Sequence, residues 1–217
     1  MQIHCESVEV DDCVHKLNAI ADALVQKDPD THRHALRVAR YAMRLARRVQ
    51  LSYEDICQIG IGGLLHDIGK LGLSDDFFSS KSKRCCSDIL QEAYQHPAIG
   101  VSLLKDIKIL GPVLDYVYYH HERIDGTGYP CGLKGEQIPL GAKIIAVADW
   151  FDAMTSYRPY QGVRSTSEAL NRMRQAAGSH LCPNLVEVFA EEIEKNGVVQ
   201  DTVSEAPATC MPTANTA

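Results

Sequence analysis

The chain has 217 residues, of which 45% are hydrophobic and 23% charged, a length and composition that allow one domain with a buried core. Its 28 acidic and 22 basic residues give a formal net charge of −6, which argues against a duplex nucleic-acid partner, because such a partner requires a basic face. A small phosphate ligand remains compatible with this charge, since metal ions and a few basic side chains can create a local positive site.

The cysteine pattern and the N-terminus carry information about the compartment. The eight cysteines contain no CxxC spacing, so we expect reduced thiols. The opening MQIHCESVEVDD lacks the basic and then apolar pattern of a secretory signal, and no apolar run approaches the roughly 20 residues that span a bilayer. The sequence therefore predicts a cytoplasmic protein with no membrane partner.

Apolar residues recur at three- and four-residue intervals along most of the chain, which is the period of helices. Asp28-Pro29 ends the first helical stretch, and Ser52 with Asp55 resembles a capping box. The pattern shows neither repeats nor the alternation typical of strands. The predicted helices cover residues 14–27, about 31–50, 52–66, 88–104 with a bend at Pro97, 112–121 and 140–155, one that Ser165 opens with Glu168, and a last one between Pro183 and Gly197.

Two loops separate these helices. Residues 71–87 are polar and weakly periodic, and residues 125–139 are rich in glycine and proline. We expect an all-α helical bundle over residues 14–197, preceded by an N-terminal extension of residues 1–13. Residues 198–217 are rich in Thr, Pro, Ala and Ser, and they are predicted to be a disordered tail.

The second predicted helix carries two stripes of different chemistry. One stripe is apolar except for a histidine, His34. The neighbouring stripe is basic, and we expect it to be a solvated face or the surface of a homodimer. Its members are Arg33, Arg37, Arg40, Arg44 and Arg47.

His66-Asp67 is the first of two clusters of potential metal ligands. Adjacent residues of a helix point about 100° apart, so the two side chains do not converge on one small ion. They can serve together if Asp67 bridges two ions while His66 binds one of them. The alternative is a histidine at a helix C-terminus that the helix dipole favours.

His120-His121 is the second cluster, and a loop of unusual composition follows it. The sequence from Gly126 to Pro130 reads GTGYP. Glycines allow a close backbone approach, and proline restricts the residue before it, so this loop can hold the Tyr129 ring rigidly beside a ligand. The alternative is a surface pair followed by a plain tight turn.

Three further residues complete the set of candidate ligands. His34 and His96 each have a simpler interpretation. His34 can be a core histidine with its hydrogen bonds satisfied, and His96, which precedes Pro97, can mark a helix boundary. Asp149 is more informative, because a carboxylate within IIAVADWF is buried and requires compensation. A metal ion can supply it, and so can a buried arginine or backbone amides.

These motifs together resemble the HD-GYP domain, a branch of the HD metal-dependent phosphohydrolases. The matching segments, over about residues 24–190, are DPDTHRHALRVA, GGLLHDIGK, HPAIG, HHERIDGTGYPCGL, IIAVADWFDAMTSYRPY and a closing G-x4-P-x-LV from Gly178 to Val186. The resemblance implies a helical bundle of the HD superfamily with a glycine- and proline-rich GYP loop. It also implies a metal-dependent phosphodiesterase that hydrolyses cyclic di-GMP to linear pGpG, GMP or both.

The resemblance implies a ligand set for two ions. His34, His66 and Asp149 would hold one ion, His96, His120 and His121 would hold the other, and Asp67 would bridge them. Nitrogen and oxygen ligands without thiolate suit iron or manganese, with cobalt, nickel and zinc as alternatives. Some family members bind a third metal through a Glu four residues before the first histidine, and Asp30 is the candidate ligand here.

The resemblance also assigns substrate contacts. Asp67 and Lys70 are the expected catalytic residues. Lys70 and Arg158 would hold phosphate, Tyr129 would contact the ligand, and Asp152 would assist its orientation. The chain departs from the HD-GYP pattern at three places. The segment SDDFFSSKSKRCCSD replaces the family's usual sequence, Gln161 stands in place of a basic residue after RPY, and Cys182 replaces the usual Asp before Pro183.

Other functions remain open at this stage. A related enzyme would prefer 3′,3′-cyclic GMP-AMP as its cyclic dinucleotide substrate. A protein of another class would sense the ligand without turnover or dock to a diguanylate cyclase, and the three departures leave room for it. A scaffold with an empty site would bind no metal.

Overall fold

Nine α-helices and four short 3-10 turns account for the regular structure of residues 3–78, 85–156 and 164–199, which this computed structural model describes. No β-strand occurs in these ranges, so the all-α prediction is confirmed. The helices are α1 (Ile3–Lys27), α2 (Pro29–Arg48), α3 (Tyr53–Leu65), α4 (Cys86–Ala93), α5 (His96–Leu104), α6 (Val113–Tyr119), α7 (Leu140–Thr155), α8 (Thr166–Ala176) and α9 (Pro183–Asn196).

The predicted capping residues start and stop these helices. Asp28 accepts hydrogen bonds from the first amides of α2, and Ser52 and Ser165 do the same for α3 and α8. Gly197 follows α9 with a φ of +72°, a conformation that favours glycine. The predicted bounds of α7 are confirmed at both ends.

Two predicted boundaries were wrong for local reasons. Helix α1 begins at Ile3 rather than near residue 14, because no proline or glycine interrupts the chain before Pro29. The single bent helix over 88–104 is instead two helices that meet at Tyr94 and Gln95. Pro97 lies in the first turn of α5, where its missing amide hydrogen costs nothing.

The segment after His66-Asp67 (the HD motif), predicted to be a loop over residues 71–87, is only partly a loop. It contains 3-10 turns at Ile68–Gly72 and Asp75–Phe78, and α4 begins at Cys86, inside the predicted loop. Lys27 Nζ donates to the carbonyls of Leu71 and Leu73 at 3.0 and 2.7 Å, which fixes this segment against the end of α1. Residues 79–84 lie outside the described ranges.

Two apolar clusters form the core. The larger joins α2, α3, α7, α8 and α9, and the rings of Tyr41, Phe151 and Phe189 pack edge to face within it. The smaller joins α1, α5 and α6 around residues such as Leu104 and Val117. Because α3 and the turn after it touch both clusters, the HD motif lies where they meet.

The arginine stripe of α2 is not a solvated face along its centre, so that prediction was wrong there. Arg37 Nε donates to the buried carboxylate of Asp152 at 2.7 Å. Arg44 donates to Glu192 and to the carbonyl of Gly197 at 3.0 and 2.9 Å. These bonds clamp α2 to α7 and α9, and a homodimer surface on this helix stays a prediction.

The cysteines, possible membrane spans and the C-terminal residues were also subjects of sequence predictions. Cys13, Cys57, Cys85, Cys131 and Cys182 are free thiols. Within the described ranges, no helix is both long enough and apolar enough to cross a membrane. Residues 200–217 lie outside those ranges, so the disordered tail stays a prediction.

Helix α3 approaches α2 closely through its glycines. A Cβ added at Gly63 would lie 2.8 Å from the backbone Cα of Ala39, which cannot move without separating the helices. A Cβ added at Gly60 would meet the Sδ of Met43 at 2.7 Å, and that flexible side chain can turn away. The two glycines therefore differ in what they tolerate.

We expect Gly63→Ala to lower the free energy of unfolding by about 1–3 kcal/mol, because overpacking at a backbone contact forces two helices apart. Gly60→Ala is the matched control in the same helix, and we expect it to change stability by less than about 1 kcal/mol, since alanine favours the helix. Urea unfolding followed by circular dichroism measures both. Equal stability of the two variants would contradict this account of the interface.

Candidate metal centre

Seven histidine and aspartate side chains from five separate segments meet in the interior. They form two groups, and within each group one ligand atom per residue lies within 4.8 Å of the others. Asp67, His96, His120 and His121 make one group, and His34, His66 and Asp149 make the other. The structure thus places the expected ligands in the same two sets that the resemblance implied.

The helical geometry of α3 ends between His66 and Asp67, so these adjacent side chains need not point about 100° apart. His66 keeps helical dihedrals as the C-cap of α3, whereas Asp67 has φ −97° and ψ 5° and leaves the helix. The two adjacent side chains can therefore face the same interior space. A Cβ at Gly69 would lie 1.8 Å from the carbonyl oxygen of His96, so only glycine lets α5 bring His96 this close.

Three of the histidines share one hydrogen bond that sets their orientation. The Nδ1 atoms of His66, His96 and His120 lie 2.8, 2.6 and 2.8 Å from the carbonyl oxygens of Gly63, Ala93 and Val117, three residues earlier. A carbonyl oxygen only accepts, so each Nδ1 carries the proton. Each Nε2 therefore presents a lone pair, the form that binds metal.

These lone pairs face one another, and no hydrogen-bond donor among the described residues satisfies them. His96 Nε2 and His120 Nε2 are 3.2 Å apart, and neither ring can donate at that position while its Nδ1 holds the proton. His66 Nε2 is buried and has no hydrogen-bond partner among the described residues. Unpaired buried polar atoms are costly, and a divalent cation bound by nitrogen and oxygen ligands would satisfy them.

Asp67 lies between the two groups. Its Oδ1 is 3.4 Å from His96 Nε2, and its Oδ2 is 3.4 Å from His66 Nε2 and 3.9 Å from His34 Nε2. Burial opposes ionisation of this carboxyl, but the Lys70 ammonium holds its pKa well below the usual range. An ionised carboxylate with one oxygen toward each group is suited to contact two cations.

The buried ion pair of Asp152 and Arg37 orients the His34 ring through its Nδ1 atom. Its Nδ1 lies 2.7 Å from Asp152 Oδ2, and Asp152 also accepts from Arg37. Its Nε2 faces Asp149 Oδ1 at 3.0 Å. Burial lowers the pKa of His34, but hydrogen bonds to Asp149 and Asp152 outweigh it and raise that pKa to about 9. A positive charge, as a proton or a metal ion, therefore belongs between His34 and Asp149.

His121 and Tyr129 form a stacked pair at the edge of the ligand groups. Their ring centroids are 4.7 Å apart and their planes meet at 25°. Burial, reinforced by His96, lowers the pKa of His121 to about 4, which favours the neutral imidazole that a metal requires. Burial also raises the pKa of Tyr129 above its usual value, so its phenol keeps its proton.

Glu122 anchors the loop that carries Tyr129. This buried carboxylate accepts from the amides of Cys131 and Leu133 at 2.7 and 2.9 Å. The amide of Tyr129 donates to the carbonyl of His121 at 3.3 Å. Bonds on both sides of the GYP turn therefore hold the tyrosine ring beside the ligands.

The other expected site residues differ in where they lie. Asp30 is exposed and pairs with Arg33, outside both ligand groups. Arg158 and Gln161 lie outside the described residues. Lys70 is at the site, with its Nζ 2.5 Å from Asp67 Oδ2. Asp152 is there too, but its side chain is only 1% exposed and it contacts His34 instead of the open pocket.

Five residues that shape the site were not predicted from the sequence. Arg37 fixes Asp152, and its place on the stripe next to His34 was a signal that the chain itself carried. The others line the pocket that opens from the ligand groups, where they adjoin His120, His121 and Asp149, and no local pattern marks them. These four are Tyr94, Arg123, Trp150 and His180.

Comparison with known proteins assigns the family. The family model described as an HD domain matches residues 18–185. The cyclic di-GMP phosphodiesterase PA4108 of Pseudomonas aeruginosa is 37% identical over 171 residues, which cover 78% of this chain and 41% of that protein. The 3′3′-cGAMP-specific phosphodiesterase 1 of Vibrio cholerae is 33% identical over 190 residues, which cover 87% of this chain and 43% of that protein.

A solved structure shows the same fold. The crystal structure of the cyclic GMP-AMP-specific phosphodiesterase V-cGAP3 of Vibrio cholerae aligns with a TM-score of 0.62 and 21% identity, covering 83% of this chain and 48% of that one. The chain spans less than half the length of these relatives. The family model and the HHERIDGTGYP motif lead to one assignment: the chain belongs to the HD domain family, in its HD-GYP branch.

Proposed function

We propose that this chain is a metal-dependent phosphodiesterase that hydrolyses a cyclic dinucleotide, first of all cyclic di-GMP, to linear pGpG, GMP or both. The observation that carries the proposal is the inward convergence of unprotonated imidazole nitrogens on the ionised carboxylate of Asp67. The activity named for the relative from Pseudomonas aeruginosa supports the choice of substrate.

The two groups of residues would hold two divalent ions, and Asp67 would serve both. The donors are imidazole and carboxylate without thiolate, which favours iron or manganese over cobalt, nickel or zinc. When bound, such ions lower the pKa of a coordinated water and offset the charge of a phosphate. A third ion would require Asp30 to leave Arg33 and turn toward the site.

The chain's own residues would orient the phosphodiester. Lys70 places an ammonium group beside Asp67, where it can contact nonbridging phosphate oxygens as their charge grows. Tyr129 would contact the ligand with a ring that the GYP loop holds still. Arg158 stays a proposed phosphate contact. No covalent nucleophile is required, because water attacks phosphorus and the 3′ oxygen leaves.

Asp152 acts in this proposal on a metal ligand and not on the substrate. Its carboxylate is buried, and it accepts from His34 Nδ1, from Arg37 and from Ser156 Oγ. It therefore fixes the tautomer and the plane of the His34 ring, the task that a carboxylate behind a metal-bound histidine performs. Asp152 is a positioning residue in this interpretation.

A second candidate substrate is 3′,3′-cyclic GMP-AMP. The observation that favours it is the likeness to 3′3′-cGAMP-specific phosphodiesterase 1, which is 33% identical over 87% of this chain. Both ligands present two phosphodiesters and two purines, so the same centre can cleave either. The choice between them depends on contacts to the bases and not on the metal ligands.

Turnover separates this enzyme from the alternative of a ligand sensor or a docking module for a diguanylate cyclase. The chain, purified anaerobically and loaded with manganese or iron, is incubated with cyclic di-GMP, 3′,3′-cyclic GMP-AMP and bis-p-nitrophenyl phosphate. Metal-dependent product formation supports the proposal. A metal-loaded chain that binds cyclic dinucleotide without cleaving any of the three would establish the sensor, and a chain that binds no metal would be a scaffold.

We expect His66→Ala and His120→Ala each to lose at least one metal ion per chain and more than about 100-fold in kcat, because each removes an inward-facing Nε2. His15→Ala is the matched control, since this histidine is exposed on α1 and belongs to neither group. Elemental analysis and steady-state hydrolysis measure the two effects. Full metal content in both site variants would exclude the proposed ligand set.

We expect Asp152→Asn to weaken manganese binding by about 10–100-fold, the usual effect of removing a carboxylate that orients a metal-bound histidine. Asp115→Asn, an exposed carboxylate on α6, is the control and should leave the affinity unchanged. Calorimetric titration gives the manganese affinity. At saturating manganese, the KM for cyclic di-GMP should stay within about 2-fold, and a raised KM with normal metal affinity would instead make Asp152 a substrate contact.

A further inference from the structure

The pocket beside the ligand groups has an aromatic wall that the proposed chemistry leaves unused. It consists of Trp150 on α7 and His180 in the turn between α8 and α9. Their ring centroids are 5.4 Å apart and their planes meet at 52°. Both side chains are half-buried and line the same pocket as His120, His121 and Asp149.

The wall is held rigidly relative to the metal ligands. Trp150 directly follows Asp149 on a helix, so its position is tied to that carboxylate. The turn that carries His180 is bonded to the start of the GYP loop, because the amides of Ile124 and Asp125 donate to the carbonyls of His180 and Ser179 at 3.4 and 2.9 Å. A flat ligand would therefore meet preformed rings.

Two further aromatic residues line the same pocket. Tyr94 and Tyr129 have ring centroids 4.5 Å apart, and Tyr129 stacks on His121. Trp150 and His180 make their own ring contact and belong to the lining of the same pocket. Aromatic rings therefore line this pocket together with His120, His121 and Asp149.

We propose that Trp150 and His180 bind a purine base of the cyclic dinucleotide by stacking, while its phosphate lies at the metal ligands. This inference rests on the proposed function and names the contact that holds the nucleoside. A purine presents a flat π-face to any aromatic ring, and such stacking tolerates guanine and adenine alike. The wall therefore suits both cyclic di-GMP and cyclic GMP-AMP and contributes affinity for a purine of either kind.

Trp150 is the single tryptophan of the chain, so intrinsic fluorescence reports on this wall alone. The manganese-loaded full chain is titrated with the bis-phosphorothioate analogue of cyclic di-GMP, which resists hydrolysis, and with ribose 5-phosphate, which has a phosphate but no base. We expect saturable quenching by the analogue and less than a tenth of that quenching by ribose 5-phosphate. Equal quenching by the two ligands, or none by a bound analogue, would overturn the inference.

Kinetics provides the second readout. We expect His180→Ala to raise the KM for cyclic di-GMP about 10-fold, the loss of one stacked base, with kcat within about 2-fold. His180→Phe should restore the KM, because it returns an aromatic face. Neither variant should alter hydrolysis of methyl p-nitrophenyl phosphate, which has no purine. Tyr53→Ala, an aromatic that is 83% exposed at the start of α3, is the surface control and should leave the KM unchanged.

The outcomes distinguish this inference from the proposed function. Normal cyclic di-GMP turnover, with an unchanged KM in His180→Ala and no quenching, would retain the phosphodiesterase and remove the purine wall. A wild-type chain that cleaves no diester would contradict the proposed function. In that case quenching by the analogue would still support the wall as a binding site, and its absence would overturn it.

Discussion

A single hydrogen bond, repeated three times, decides what the interior of this protein can do. In each case a histidine Nδ1 donates to a carbonyl three residues earlier, and the proton is thereby fixed on the outward side of the ring. The Nε2 lone pairs then converge on a buried carboxylate, where they repel one another without a cation. Metal binding, and any hydrolysis that depends on it, follows from this arrangement.

The fold supplies the convergence through contacts that also hold the helices together. Gly69 lets α5 approach the HD segment to within backbone contact, which brings His96 to Asp67. Arg37 joins α2 to α7 through Asp152, and the same carboxylate orients His34. The site and the helix packing therefore share residues, so a substitution at Arg37 disturbs both.

A chain with a net charge of −6 binds an anion in this account because its positive charge is local. Lys70 stands beside the carboxylate of Asp67, and Arg123 lines the adjoining pocket, so two cationic residues lie near the candidate metal ligands. Divalent ions would add the larger share of that charge. Trp150 and His180 offer apolar surface next to these charges, which matches a ligand that alternates phosphates with purines.

The sequence by itself determined the helices, most of their caps and the residue types of the metal ligands, because apolar period, capping chemistry and the HD and GYP motifs are local patterns. Only the tertiary structure decided which nitrogen of each histidine faces inward, that Arg37 and Arg44 clamp helices instead of facing solvent, and that Trp150 packs against His180 in the lining of one pocket. Ring orientation and the pairing of residues distant in sequence depend on how whole helices pack. No pattern within one helix encodes that packing.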